Sequence, residues 1–338
     1  MIQGLYTVAE VNAMIEKGDI LLLAGDSVLL SQLNKGKWIC GSTSRFIEMG
    51  KEPICDRNRI FVHNLTDIAE EIKLDFYDAS TIKNIYEDAF ENGFSVLITS
   101  PFSDVVGEYT NNCSKYTNFG SRALCGWAVV TSIYSEYELI DESLIFSGID
   151  AKSYNQGAVV MHVGLPTDKF AEIHVFSPYN QPKEGDIITF EENKQFFEYA
   201  LINGKRQNFR NYLEEIQKAQ KREVTVFPYR CLIGNYEGIV MNVALATEKD
   251  KEYVTLGASV YKGIEYRLSN TDIIDFESMK KNLCGEIVFS LSCVNNFMKK
   301  EIFKNSLTQM NGPFTYGELA YYMMTNATIY VTVGKKIL

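Results

Sequence analysis

Small polar residues near the C-terminus stand at the ends of apolar runs, where strands give way to loops. Ser292 and Cys293 end one apolar run, and Tyr316 and Glu318 follow a Gly-Pro pair. Asn326 precedes the last apolar run of the chain. Rigid strand ends that lead into loops often carry binding groups. A carboxylate at such a position is suited to an ammonium group, and hydroxyls and amides there form neutral hydrogen bonds.

A second polar group follows an early strand-like run. Ser42, Thr43 and Arg45 lie in a short loop of small polar residues. The guanidinium of an arginine is a planar donor fork that pairs well with a carboxylate. The alternative interpretation of this stretch is an ordinary turn. That of the C-terminal stretch is two core strands joined by a helix, with Glu318 a strand-end carboxylate in solvent and Asn326 a turn residue.

Cys293 also raises the hypothesis of a cysteine-dependent enzyme. A nucleophilic thiolate needs a nearby base or cation that lowers its pKa. His162 and His174 are the candidate bases, and either would serve only if the fold brings it to Cys293. The alternative is that Cys293 is a small buried residue and that both histidines are structural, which leaves enzymatic activity open.

Composition limits the classes of function. The chain has 338 residues, with 33 Lys and Arg against 43 Asp and Glu, so its net charge is −10. Because it has no basic block, no long apolar run and no signal-like N-terminus, we expect neither nucleic acid nor membrane as a partner. Its seven cysteines form no C-x-x-C pair. We therefore expect free thiols, a cytoplasmic location, and no metal or cofactor.

The elements that position these residues are predicted from periodicity. A helix that begins at Ser80 between the strands Ile72–Tyr77 and Phe94–Thr99 would form a βαβ-like unit. The polar segment Pro101–Gly120 is interpreted as a long loop. From Glu142 onward, short strands follow one another in an antiparallel rhythm. The predicted class is α+β, with large, mainly antiparallel sheets, outer helices and one βαβ-like unit in the N-terminal half.

Six short motifs occur in an order and spacing that resemble the FIST family. They are Cys40-Gly41-Ser42-Thr43-Ser44, Tyr199 to Leu213, a strand and charged loop around Gly257 to Leu268, Phe289 to Cys293, Phe314 to Leu319, and Asn326 to Ile329. The sequence departs from the family pattern at Cys40-Gly41, at Ser44-Arg45 and at Asn296, where an arginine is common. The resemblance implies an N-terminal segment, 1–195, and a C-terminal segment, 196–338, packed together as one sensory unit.

The resemblance also implies a ligand and a site. The protein would bind a small molecule, possibly an amino acid, and would signal through a separate partner protein. The implied ligand-binding residues meet across the junction of the two segments: Ser42, Thr43, Arg45, Ser292, Cys293, Tyr316, Glu318 and Asn326. Arg45 and Glu318 would then hold the two ends of a zwitterion, or would instead pair with each other as a structural ion pair.

Overall fold

The computed structural model describes residues 2–129, 143–177, 179, 181–219, 231–236, 238–247, 251–269, 283, 285–293, 310–321 and 323–336. The structure is 49% strand and 14% helix. The predicted α+β class with outer helices is therefore wrong, because the protein is mainly β. Over the described ranges the α-helices are short: α1 (Val8–Glu16), α2 (Ser27–Leu30), α3 (Asp104–Asn112) and α4 (Phe209–Ala219).

The strands of the first half agree with the apolar and alternating runs of the sequence. They are β1 (Gln3–Tyr6), β2 (Ile20–Gly25), β3 (Lys37–Ser42), β4 (Arg45–Ile47), β5 (Ile54–Cys55), β6 (Ile60–Asn64), β7 (Glu71–Tyr77), β8 (Gly93–Thr99), β9 (Ala123–Ala128), β10 (Ile145–Ser147), β11 (Lys152–Tyr154), β12 (Ala158–Gly164) and β13 (Lys169–Phe176). The run Phe94–Thr99 is a strand, as predicted, and all six of its residues are buried.

The second half continues as short strands. They are β14 (Ile188–Thr189), β15 (Lys194–Phe197), β16 (Tyr199–Ile202), β17 (Lys205–Asn208), β18 (Cys231–Tyr236), β19 (Ile239–Thr247), β20 (Val254–Val260), β21 (Tyr266–Leu268), β22 (Glu286–Cys293), β23 (Gly312–Thr315), β24 (Gly317–Ala320), β25 (Met323–Thr325) and β26 (Thr328–Lys335). The Asn203-Gly204 turn joins β16 and β17, and both of its residues have positive φ, as a tight hairpin requires.

These strands form four sheets. Sheet I has the order β1-β6-β2-β3-β10-β11, and sheet II has the order β25-β24-β9-β8-β12-β7. Sheet III has the order β13-β26-β22-β23-β4-β5, and sheet IV has the order β15-β20-β19-β18-β21-β14-β16-β17. The parallel neighbours among the described strands are β2 with β3, β8 with β9, and β22 with β23. Sheets II and III take strands from both sides of residue 195, and the division proposed there stays a prediction.

Sheet II lies between two apolar layers. One of its faces carries Val96, Ile98 and Trp127 into a core shared with sheets I and III. The other face carries Leu97 and Val160 into a core beneath α3 and sheet IV. Because successive strand residues point to opposite faces, the apolar run of β8 supplies both layers.

Two predictions on connections are wrong. The helix expected from Ser80 is a turn with a short 3₁₀ segment, Ile82–Asn84. The carboxylate of Asp78 accepts hydrogen bonds from the backbone N–H groups of Ser80 and Thr81, which favours a local turn over a helix. Strands β7 and β8 are each antiparallel to β12, which lies between them. The predicted βαβ-like unit is therefore misplaced.

The segment Pro101–Gly120, predicted as a loop, contains α3. This helix connects β8 to β9, which are parallel neighbours in sheet II. Val105, Val106 and Tyr109 are buried and anchor α3 on the sheet, at the spacing of one helical face. A helical crossover between parallel strands thus occurs one strand later than expected.

Two general expectations are addressed by the described part of the chain. No helix there is both long enough and apolar enough to cross a lipid bilayer. The six cysteines it includes are free thiols, as predicted. Cys284 and Asn296 lie outside the described residues.

Candidate ligand-binding site

The early polar loop is buried and hydrogen-bonded to its surroundings. Ser42 ends β3, and its Oγ accepts a hydrogen bond from the backbone N–H of Leu144 at 2.9 Å. The Oγ1 of Thr43 donates to the backbone carbonyl of Phe314 at 2.9 Å. Arg45 begins β4 and is 7% exposed. The hydroxyls of Ser42 and Thr43 therefore hold segments together inside the protein.

The C-terminal polar residues meet where the strands of sheet III end. We call Ser292, Cys293, Thr315, Glu318 and Asn326 the strand-end cluster; all five are fully buried. The Oγ of Ser292 lies 2.8 Å from the hydroxyl of Thr328 on the neighbouring strand β26.

Cys293 uses its thiol within this cluster. Its Sγ donates to the backbone carbonyl of Tyr316 at 3.4 Å. Tyr316 itself is 1% exposed, and its backbone N–H donates to the carbonyl of Ala128 on β9 at 2.9 Å. The thiol and the main chain of Tyr316 thereby connect sheet III to sheet II.

Asn326 joins four segments through its side chain. Its Oδ1 accepts from the backbone N–H of Ala244 at 2.8 Å. Its Nδ2 donates to the carbonyls of Gly257 at 3.1 Å and Tyr316 at 3.0 Å. A Cβ at position 257 would lie 2.6 Å from this side chain, so the glycine permits the close approach. Asn326 is therefore a fully used structural link between sheet IV and the β23–β24 connection.

Glu318 is the least satisfied member of the cluster. Its Oε1 accepts a short hydrogen bond from the hydroxyl of Thr315. Its Oε2 has no hydrogen-bond partner among the described residues. Burial raises the pKa of this carboxyl well above its usual range, and the bond from Thr315 opposes that shift in part.

The two predicted groups do come together. Strand β4 pairs with β23, and Thr43 bonds to the strand residue next to Thr315. The ion pairs of the described residues do not include one between Arg45 and Glu318. The predicted binding role of these residues stays a prediction, and each of them is buried in this structure.

The two candidate bases lie in other networks. His162 is fully buried, with Nδ1 2.7 Å from the hydroxyl of Ser95 and Nε2 3.1 Å from that of Tyr77. His174 lies 3.0 Å from the hydroxyl of Thr332. In the described part of the chain neither ring contacts Cys293, so the enzyme hypothesis stays a prediction without a base beside the thiol.

The charge state of both rings is shifted toward neutral. Burial lowers the pKa of His162 to about 4, although the nearby carboxylate of Asp75 favours its charged form. Burial also lowers the pKa of His174. His162 is therefore a neutral imidazole with both nitrogens in use, which is typical of a structural histidine.

His63, which the sequence did not single out, differs from His162. It is 3% exposed, and both of its ring nitrogens lack hydrogen-bond partners among the described residues. It packs between the rings of Phe61 and Phe289, with centroids 5.0 and 5.8 Å away. Burial lowers its pKa to about 3.

An open cleft of about 560 Å³ lies between α3 and the β15–β20 edge of sheet IV. We call it the α3 cleft. Its size is in the range typical of small-molecule sites. None of the predicted site residues lines it, although Tyr316 lies directly behind one wall.

The back of the α3 cleft carries two polar atoms that have no hydrogen-bond partner among the described residues. Ser259 on β20 is 4% exposed, and its hydroxyl makes no hydrogen bond within the described residues. Gln195 on β15 is 7% exposed, and its amide nitrogen Nε2 donates to the backbone carbonyl of Leu256 at 3.4 Å. Its Oε1 is left free to accept a hydrogen bond from a group in the cleft.

Two phenylalanines form the apolar wall. The rings of Phe102 and Phe196 have centroids 5.1 Å apart. Phe102 also packs edge-on against Tyr316, at 5.2 Å. Its φ is 57°, a left-handed conformation that is a true outlier for a bulky residue. Strained residues of this kind concentrate at functional sites, where the surrounding packing holds them.

The mouth of the cleft is lined by charged and amide side chains. Asp104 and Glu108 lie one turn apart on α3, and Lys194 lies on the opposite side. Lys194 also forms an ion pair with the neighbouring Glu192. Asn111 donates its amide to a helix carbonyl, and Asn193 accepts from a backbone N–H. The acceptor of Asn111 and the donors of Asn193 remain available to a ligand.

The family model that matches the chain covers residues 6–334 and describes a family of unknown function, DUF6976. The chain belongs to this family. The FIST resemblance is therefore wrong, because the match over nearly the whole chain is to a different family and no FIST model matches. The chain matches no curated protein and no solved structure.

The motifs taken for FIST signatures have a structural explanation in this DUF6976 chain. Asn326 links strands, and Ser292 and Cys293 bond across strand ends. Short strand-end motifs of small polar residues recur wherever buried strands need such bonds, so their order alone did not identify a family. The roles drawn from the resemblance lose that support.

The sequence did contain a signal for the α3 cleft. Val105, Val106 and Tyr109 recur at helical spacing after Ser103, which is the N-cap of α3. Gly107 and the asparagines of the segment favoured the loop interpretation, because these residues are poor helix formers and typical of loops. No sequence pattern on β15 or β20 identifies Gln195 and Ser259 as site residues, because the cleft forms only when α3 packs beside sheet IV.

Proposed function

We propose that the protein binds a small polar molecule in the α3 cleft. The observation that carries the proposal is that two largely buried side chains at the back of the cleft, Ser259 and Gln195, each keep a polar atom without a hydrogen-bond partner among the described residues. These atoms, the hydroxyl of Ser259 and the Oε1 of Gln195, line the open cleft, so a ligand or ordered water can complete their hydrogen bonds.

The mouth of the cleft supports a ligand with several polar substituents. Asp104 and Glu108 present carboxylates, and Lys194 presents an ammonium. Both signs of charge in one mouth are compatible with the amino-acid ligands expected from the sequence, and amino acids are one arm of the test. Amino acids stay candidate ligands because of the charged residues that line the cleft, since the chain does not belong to the FIST family.

A sensory role and a cytoplasmic location belong to the same proposal. The ring of Phe102 links the cleft wall to Tyr316, whose main chain bonds to Cys293 and Asn326 in the strand-end cluster. Occupancy of the cleft thus has a packed path to sheets II and III, and a separate partner protein would read the change. The free thiols of the described cysteines support a reducing compartment.

The test is a thermal-shift screen of the purified protein against amino acids, sugars, polyols and organic acids. At 100 times its dissociation constant, a ligand adds about 2.7 kcal/mol, which raises Tm by ~2–4 °C or less for a chain of this size. Each ligand that raises Tm is then titrated with the variants Ser259→Ala and Ser153→Ala. Ser153 is an exposed serine on β11, so its variant controls for the chemical change alone.

The proposal predicts that Ser259→Ala weakens binding and that Ser153→Ala leaves it unchanged. A ligand that binds both variants as tightly as the natural protein would place the binding site elsewhere and contradict the proposal. A flat screen across all four classes would also contradict it.

A further inference from the structure

We infer that the ligand of the α3 cleft is a polyhydroxylated ring, of the class of a monosaccharide or cyclitol. This inference rests on the proposed function and names the ligand class for the same cleft. It comes from four observations: the hydrogen-bonding roles left open at the back, the absence of charge there among the lining residues, the aromatic wall, and the mixture of acceptors and donors at the mouth.

The back of the cleft calls for a group that both donates and accepts. The free Oε1 of Gln195 accepts a hydrogen bond, and the hydroxyl of Ser259 donates one or accepts one. A ligand hydroxyl meets both requirements, because it donates to Gln195 while it accepts from Ser259. A carboxylate or phosphate only accepts, so it would leave the Oε1 of Gln195 facing a like partial charge.

Charge separates the back from the mouth. The lining residues at the back, which include Gln195 and Ser259, are uncharged, whereas Asp104, Glu108 and Lys194 lie at the mouth. A charged group placed against uncharged, buried walls bears a large desolvation cost. A neutral hydroxyl bears a much smaller one, which favours a neutral ligand at depth over the ammonium or carboxylate of an amino acid.

The aromatic wall complements a ring with C–H faces. Phe102 and Phe196 stand beside each other with centroids 5.1 Å apart, and Phe196 is 38% exposed. The faces of aromatic rings carry negative charge density, which attracts the weakly positive C–H groups of a saturated ring. Phe102 is fixed by its contact with Tyr316 and by its left-handed backbone, so this wall is pre-organised.

The mouth offers both acceptors and donors. The carboxylate of Asp104 makes no hydrogen bond within the described residues, and Asn111 has a free Oδ1. On the donor side, Asn193 keeps both N–H groups, because its Oδ1 is the atom bonded to the protein, and Lys194 presents an ammonium that also pairs with Glu192. Neighbouring hydroxyls of a sugar ring both donate and accept, so they match this mixed set.

The probes are glucose, galactose, mannose, N-acetylglucosamine and myo-inositol, set against glycine, alanine, glutamate and lysine at equal concentrations. Binding is measured by isothermal titration and by saturation-transfer NMR. We expect at least one ring polyol to bind, with the strongest saturation on its C–H protons. The variants Ser259→Ala and Phe196→Ala should each weaken that binding about tenfold or more.

Two matched controls keep the result specific. Phe76→Ala removes another exposed strand phenylalanine, and Ser153→Ala removes a strand serine that does not line the cleft; both variants should bind the polyol as the natural protein does. If Phe196→Ala fails to fold, Ser259→Ala carries the test, since it removes a single atom that has no protein partner.

The failures are distinguishable. Amino acids that bind in a Ser259-dependent way while the ring polyols do not would overturn the inference and leave the proposed function in place. A polyol that binds equally to the natural protein and to Ser259→Ala would overturn both. If neither the ring polyols nor the amino acids bind, the inference is overturned.

Discussion

The strand-end cluster and the α3 cleft are both rich in small polar side chains, but they use them differently. In the cluster, Asn326 is fully buried and bonds to three backbone segments. In the cleft, Ser259 is nearly as buried and its hydroxyl has no partner in the described structure. Both are largely buried polar residues, and the difference lies in which hydrogen bonds the protein itself completes.

This difference separates stability from binding. A polar side chain whose bonds are all made inside the protein contributes to folding, and its removal leaves its former partners unsatisfied. A side chain whose bonds are open toward a cleft contributes little to folding and is available to a ligand. Substitutions in the two regions should therefore change different measurements.

The largest expected effect is at Asn326. Asn326→Ala removes one acceptor and two donor bonds. The backbone N–H of Ala244 and the carbonyl of Gly257 lose their bonds to this side chain. The carbonyl of Tyr316 keeps only the weak bond from the Cys293 thiol. At about 1–3 kcal/mol for each unsatisfied group, we expect a loss of about 3–6 kcal/mol of unfolding free energy. Urea unfolding followed by circular dichroism measures it.

The control for Asn326→Ala lies on the cleft. Asn111→Ala removes an exposed asparagine from α3 and improves its helix propensity, so stability should change by less than about 0.5 kcal/mol. Equal losses for the two variants would remove the distinction between the regions.

The next effect concerns acid and the two buried histidines. Their folded-state pKa values are about 3 for His63 and about 4 for His162, below the ordinary value of 6.5. Each ring therefore favours the fold only when neutral. Its contribution is fully present above pH 6.5 and falls as the pH decreases toward the folded pKa, by about 1.4 kcal/mol per pH unit for each histidine.

The variant His63→Leu tests this contribution and the contrast between bonded and unbonded groups. It removes an imidazole whose nitrogens have no partners in the described residues, so stability at pH 7.5 should be unchanged or higher. At pH 4.5 it should exceed the natural protein by about 3 kcal/mol, because one titrating group is gone. A variant that loses stability at pH 7.5 and keeps the same acid dependence would contradict this account of His63.

Glu318 makes the stability of the fold change with pH in the direction opposite to that of the histidines. Its pKa is raised in the fold, so the fold favours the protonated form, and stability decreases as the pH rises above the unfolded value near 4.5. Glu318→Gln keeps the acceptor for Thr315 and removes the charge. We expect equal stability near pH 4 and a higher free energy of unfolding for the variant at pH 7.5, because the ionised carboxylate is the form that burial disfavours.

A pH series of urea unfolding curves checks Glu318→Gln. The matched control is Glu71→Gln on the edge strand β7, where the carboxylate is exposed and the stability should follow the natural protein at every pH. A loss of stability in Glu318→Gln at pH 7.5 would mean that the ionised carboxylate is held by favourable contacts.

The sequence predicted strands better than it predicted what connects them. The apolar run of β8 fixes a buried strand by itself, because both of its faces must be covered. The segment after Asp78 was predicted to be a helix and is a turn, whereas the segment after Ser103 was predicted to be a loop and is the helix α3. Side-chain bonds from Asp78 favoured a turn, and three buried residues of α3 outweighed its poor helix formers.

The site could be predicted only in part for a related reason. The sequence marks Glu318 and Asn326 as polar residues at strand ends, yet their bonding differs because the partners come from distant strands. Ala244, which bonds to Asn326, is 82 positions away in the chain. Whether a polar residue is satisfied is a property of the assembled sheets, and no local pattern reports it.

The smallest expected effect on stability is at Ser259, and it sharpens the comparison most. Ser259→Ala removes a hydroxyl that has no partner within the described residues, so the free energy of unfolding should change by less than about 0.5 kcal/mol. The same change in Ser292→Ala removes a hydroxyl 2.8 Å from that of Thr328, and should cost about 1–2 kcal/mol. Both serines are buried strand residues, so burial and chemistry are matched and only the protein partner differs. Urea unfolding of the two variants at pH 7.5 makes the measurement. A larger loss for Ser259→Ala than for Ser292→Ala would mean that the cleft hydroxyl supports the fold, and it would withdraw the main reason to assign it to a ligand.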